Sequence, residues 1–130
     1  MSESAAETFG LNQIGQIAVP VSDIERAIRF YRDTLGMHFI FRAPPDLAFF
    51  DLSGVRLMLD GPAKAQGGNS STIYYKVADL PLTFTTLSKR GVQFEAKPHL
   101  LAKMPDHDLW MAFFRDPDKN LIALMSEVKQ

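Results

Sequence analysis

The sequence contains no cysteine and only three histidines, His38, His99 and His107. The first absence excludes disulfides, thiolate nucleophiles, iron–sulfur clusters and Cys-ligated zinc. The scarcity of histidine leaves any transition-metal site to draw on three imidazoles with carboxylates and amides. An excess of one charge is also lacking, since 14 Lys and Arg stand against 15 Asp and Glu. Scattered basic residues cannot neutralise a row of phosphates, so no nucleic-acid partner is expected. No apolar run approaches the ~20 residues needed to span a bilayer, which excludes a membrane-spanning helix. The first residues, with Glu3 and Glu7 among small side chains, lack the basic and apolar regions of a secretory signal, so the sequence reads as cytoplasmic. Asn69-Ser70-Ser71 matches a glycosylation acceptor, but without a signal it reads as a polar loop. A Gly-x-Ser-x-Gly elbow is missing, and Gly67-Gly68-Asn69-Ser70-Ser71 lacks the Gly-Lys-Ser/Thr of a phosphate loop.

What is present is a chain of 130 residues, 46% hydrophobic and 22% charged, which suits one globular domain. Its main feature is an internal repeat. Ile17–Ile24 aligns with Ile73–Leu80 at an offset of 56, matching Ile, Val and Asp. Gly36-Met37-His38-Phe39 then aligns with Gly91-Val92-Gln93-Phe94 at 55, Ala48-Phe49-Phe50 with Ala112-Phe113-Phe114 at 64, and Val55–Leu59 with Leu121–Met125 at 66. The order is conserved between the two copies while the offset changes only in loops.

Each copy reads as strand, helix and three strands. In the first, Ile14–Pro20 is rich in β-formers and Pro20 interrupts its end. Ser22 stands three residues before Glu25, the spacing of a capping box. Ile24, Ala27, Ile28, Tyr31 and Leu35 form an apolar helical stripe, and Gly36 is the stop. Strands are expected near 38–43, 47–52 and 55–60, with turns at Pro44-Pro45 and Ser53-Gly54. In the second copy, Asp79 is the expected N-cap, Leu80, Phe84 and Leu87 face inward, and Gly91 is the stop. Thr83, Thr85 and Thr86 make that helix weaker by propensity. The division is a module at about 12–60, a linker at 61–71 and a module at about 72–128, all in one domain.

A tandem βαβββ pair opened by Val-x-Asp, with Phe30-Tyr31 and Leu35-Gly36 in its first helix, resembles the vicinal oxygen chelate superfamily. That group includes glyoxalase I, bleomycin-resistance proteins and extradiol dioxygenases. Asp116-Pro117-Asp118-Lys119-Asn120 is similar to the family's Asp-Pro-Asp-Gly-Asn turn, with Lys119 where the family has Gly. The resemblance implies an α+β fold in which two modules form a curved mixed sheet around a cavity. It also implies a homodimer. Metal-dependent members carry one ligand on the first and last strands of each module. Those positions fall here on Gln16, Leu57, Thr72 and Ala123, with a one-residue slip to Arg56 or Met58 left open. Only Gln16 is a serviceable ligand, so no metal site and no cofactor are expected. One divalent ion held atypically, through Gln16, Glu127 and a loop His, is the alternative.

The copies differ most in one interval, nine steps from Phe39 to Ala48 against eighteen from Phe94 to Ala112. The additional residues lie within Pro98–Asp108, read as a loop that carries His99 and His107. A loop over a cavity makes His99 and His107 candidate general bases. Counting by twos from Ala123 places Glu127 on the same face, as a third candidate catalytic group. The same counting places Tyr74 and Lys76 on the face of Thr72, and Ala18 and Pro20 on that of Gln16. Gln16, Thr72 and Tyr74 are thus candidate ligand contacts, as is Arg56 at its inner-strand position, and Trp110 offers a flat surface beside the loop. Arg56 is expected to have an acid or an anionic ligand as partner. His38, at a strand start, reads as structural. The function so implied is a glyoxalase/bleomycin-resistance-like protein that binds a small molecule in a cavity without the usual metal. The alternative is a lyase, isomerase or dioxygenase of that superfamily.

Overall fold

The computed structural model describes residues 14–61 and 72–130. The readings made on the N-terminal residues and on Asn69-Ser70-Ser71 lie outside them. In chain order the elements are β1 (Gln16–Pro20), α1 (Ile24–Ile28, continued by a π-helical turn Arg29–Thr34), β2 (His38–Ala43), β3 (Leu47–Leu52) and β4 (Val55–Asp60). The second module follows with β5 (Ile73–Lys76), α2 (Leu80–Lys89), β6 (His99–Lys103), β7 (His107–Arg115) and β8 (Leu121–Lys129). They form two four-stranded sheets of the same topology, β1-β4-β3-β2 and β5-β8-β7-β6. In each, the first strand runs parallel to the last and the other pairs are antiparallel.

Both helices start on the aspartate of Val-x-Asp. Asp79 accepts from the backbone N–H of Leu82, as expected. In the first module the cap is Asp23, which accepts from the N–H of Arg26, and not Ser22. The capping box fails because its two members have other partners. The Ser22 hydroxyl is held by Asp118, and Glu25 pairs with Arg42. Gly36 and Gly91 end the helical segments at φ of 75° and 95°, backbone that a Cβ would strain. Lys119 takes φ 69° at the position where a glycine was expected, and its N–H donates to the Asp116 carbonyl at 2.8 Å.

Strand alternation divides each sheet into a core face and an open face. In the first module Val19, Ala48, Phe50, Leu57 and Leu59 are buried against α1. In the second, Ala112, Phe114, Ile122 and Leu124 turn inward, towards α2, Leu80 and Leu87. These residues and Tyr31 belong to one continuous core that spans both modules. A buried polar seam joins them as well. Tyr31 donates its hydroxyl to Asp116 at 2.8 Å, and Asn120 donates to the Pro20 carbonyl at 3.0 Å. Asp116 also accepts from the N–H groups of Asp118 and Asn120, so the Asp-Pro-Asp-Lys-Asn turn is built around its carboxylate.

The interval that breaks the repeat is a β-hairpin rather than a loop. β6 turns at Met104–Asp106 into β7, closed by the Met104 N–H on the His107 carbonyl at 2.8 Å. The additional residues lengthen strands, so β7 and β8 have 9 residues each where β3 and β4 have 6. Polar residues do not prevent this, because an edge strand needs only one apolar face or a covered backbone.

Candidate functional site

The open face of the second module collects most of the chemistry. Tyr74 and Lys76 on β5 stand opposite Ala123 and Met125 on β8, and Glu127 continues that row. On β7, Leu109 stands opposite Glu127 and Met111 opposite Met125, and β6 places His99 opposite Met111. Ring packing fixes the lower part of this surface. The Tyr74 and Phe113 centroids are 6.3 Å apart, edge to face, and His99 lies 6.2 Å from Phe113.

At the upper end, polar groups form a line. Lys76 Nζ lies 3.2 Å from Glu127 Oε1, and His107 Nε2 lies 4.0 Å from Glu127 Oε2. The other ring nitrogen, Nδ1, is 2.7 Å from Asp106 Oδ1. That bond holds the Asp106 carboxyl below the usual carboxylate range. With Asp106 accepting from Nδ1–H, the lone pair of a neutral imidazole is on Nε2 and faces Glu127. Two proton acceptors therefore flank one 4.0 Å gap, which a donor group of a ligand can bridge. His107 is largely buried and Glu127 is partly exposed, so the pair is reachable from solvent.

Of the expected site residues, the structure brings together His107 and Glu127, and places His99 and Tyr74 on the same face. Glu127 is a paired strand residue with a lysine partner. Lys76 and Asp106 belong to this line and were not anticipated as site residues, although alternation from Thr72 already placed Lys76 on this face. Thr72 is half-buried just ahead of β5. Trp110 lies on the other face of the sheet, packed against the core, because residues 109 and 110 alternate and Leu109 takes the open side.

In the first module Gln16 opens β1 opposite Arg56, and Ala18 stands opposite Met58. Leu57 is fully buried in the core, so the last-strand position belongs to Met58. The parallel registers explain this, since Ala18 pairs with Met58 as its counterpart Tyr74 pairs with Ala123. The Gln16 side-chain amide donates to Met58 Sδ at 3.6 Å. Arg56 does not have the acid partner expected of it among the described residues. Its guanidinium lies over the Phe49 ring at 5.5 Å.

With these registers, the four positions that the resemblance assigns to a metal are Gln16, Met58, Thr72 and Ala123. Of these only the Gln16 amide carbonyl is a good oxygen ligand; a neutral hydroxyl, a thioether and a methyl do not complete a site for a divalent cation. Among the described residues no three His, Asp or Glu side chains converge as a metal cluster elsewhere. No described helix is long and apolar enough to cross a membrane.

The fold is shared with known proteins. An uncharacterized protein of Bacillus subtilis (strain 168), YraH, is 29% identical over 126 residues, which covers 84% of this chain and 94% of the relative. The crystal structure of TnmS3, an antibiotic binding protein from a Streptomyces species, superposes with a TM-score of 0.73 at 23% identity, covering 92% of this chain and 98% of that one. A lactoylglutathione lyase from Agrobacterium tumefaciens gives 0.74 at 18% identity, covering 90% and 95%. Residues 13–124 match one family over most of the chain's length, and the chain belongs to the Glyoxalase/Bleomycin resistance protein/Dioxygenase superfamily.

Proposed function

We propose that this chain binds a small amphipathic molecule on its open faces, as a homodimer and without the family's usual metal. The carrying observation is the donor set at the four family positions, where Met58 and Ala123 offer no hard ligand. The same surface carries aromatic and polar groups in the mixture that small-molecule sites use, with Tyr74, Phe113 and His99 below and Lys76, Glu127 and His107 above. Phe41 and Tyr74 are 45% and 49% exposed on the open faces of the two modules, and a second copy would cover them. The antibiotic binding protein of the same fold is a precedent for a binding role on this architecture.

Metal analysis of the untagged protein together with calorimetric titration of aromatic amphiphiles tests this reading. Far less than one metal per chain, with saturable binding that Tyr74→Ala weakens, is expected. One tightly held divalent ion per chain would overturn it.

The line from Asp106 to Glu127 favours a second reading, proton transfer without a metal. In it, His107 Nε2 takes a proton from a bound substrate while Asp106 holds the ring and Lys76 holds Glu127. This reading predicts an activity that His107→Ala abolishes without lowering the thermal midpoint.

A further inference from the structure

The longer β7 and β8 create a second concavity, on the helix side of the sheet. Helix α2 has 10 residues and covers ~15 Å, whereas the 9 residues of β8 extend ~30 Å. The far ends of β7 and β8 therefore project beyond the helix that packs on them. Under this overhang lies a cavity of about 530 Å³, lined by Asp79, Leu80, Pro98, Trp110, Ser126 and Val128 among others. Its volume is within the range of small-molecule sites, and its lining is mostly apolar. Glu127 and His107 are on the opposite face, so this space is separate from the open-face site.

The charge of the cavity selects its occupant. Asp79 is the single charged side chain among the described lining residues. A helix start offers roughly half a positive charge, less than the full negative charge of one carboxylate. The first turn has little left for an anion. Pro81 has no N–H, the Leu82 N–H is taken by Asp79 Oδ1 at 3.0 Å, and the Thr83 N–H by the Asp79 carbonyl at 3.0 Å. Trp110 adds an indole ring, whose face attracts a cation as well as apolar surface.

We propose that this cavity is a second ligand site, which takes a small aryl-alkyl ammonium cation with its apolar body against Trp110 and its charge towards Asp79. Because Trp110 is the only tryptophan of the chain, its emission reports on the site directly. The experiment titrates the full chain with benzyltrimethylammonium, benzyl alcohol and phenylacetate, following Trp110 fluorescence and calorimetric heat. Saturable binding of the cation is expected, with the alcohol at least fivefold weaker and phenylacetate without effect. Asp79→Asn keeps a good N-cap and should weaken the cation at least fivefold at an unchanged thermal midpoint. Val128→Arg, at a 47% exposed position, should abolish the Trp110 fluorescence change that the cation produces. Absence of saturation, equal affinity for cation and alcohol, or an unaltered Asp79→Asn variant would each overturn the proposal.

Discussion

The hydroxyl of Tyr31, at the end of the first module's helix, donates to Asp116 of the second module at 2.8 Å, across 85 residues of sequence. Both side chains are buried, so this bond is made where water does not compete. Tyr31→Phe removes the donor with almost no change of shape, and leaves Asp116 Oδ2 with the Asn120 amide alone. The expected cost is about 1–3 kcal/mol, measured by urea denaturation. A loss under a few tenths of a kcal/mol would show that the seam does not couple the modules.

Tyr75 gives a pH dependence with a definite sign. Burial, and then the charge of Asp116, push its hydroxyl up to about 12 from an ordinary value of 10.0. A group whose folded pKa is raised contributes stability that is complete below the unfolded value and fades as pH rises through the folded one. The window is therefore pH 10–12, and the contribution is about 2–3 kcal/mol. Tyr31, raised by burial and by Asp116, acts in the same direction. Tyr75→Phe should consequently lose less stability than the parent chain between pH 9 and pH 11.5, read from urea midpoints. Parallel losses in the two proteins would contradict the assignment.

Lys119 stands at φ 69°, where a side chain costs ~1–2 kcal/mol. Its backbone carbonyl accepts from Arg115, a contact that does not need the lysine side chain. Lys119→Gly should stabilise the chain by about 1 kcal/mol, reduced by the greater freedom of glycine when unfolded. The urea midpoint decides it, and a lower midpoint would mean that the lysine side chain makes a compensating contact.

Most of the architecture was legible because the repeat carries it. Val-x-Asp, the apolar stripe from Ile24 to Tyr31 and the glycine stops each specify a local structure, and their recurrence specifies the second copy. Three details escaped for physical reasons. Ser22 and Asp23 are both good caps, and the choice between them depends on Asp118, 96 residues away. Leu57 and Met58 are both apolar, so hydropathy could not place the strand register that decides which one faces outward. His99 and His107 sit in a polar, Pro-containing interval that resembles a loop, yet the backbone of β7 satisfies it as a hairpin. Of the candidate site, alternation revealed the row of Tyr74, Lys76 and Glu127. The Asp106 contact came from a turn geometry that no spacing rule supplies.

The proposed pairing of two copies can be tested without knowing the ligand. Phe41 and Tyr74 are nearly half exposed and lie on β2 and β5, in different modules. A second copy laid across both faces would cover them, and a carboxylate placed there would be stranded from water. Phe41→Asp and Tyr74→Asp should each shift sedimentation equilibrium towards the monomer, with thermal unfolding still cooperative. Val128→Arg, on the opposite side of the second sheet, is the control and should leave the association unchanged. A parent chain that sediments as a monomer at high micromolar concentration would leave each open face working alone, and the ligand would then have to be held by one module's side chains.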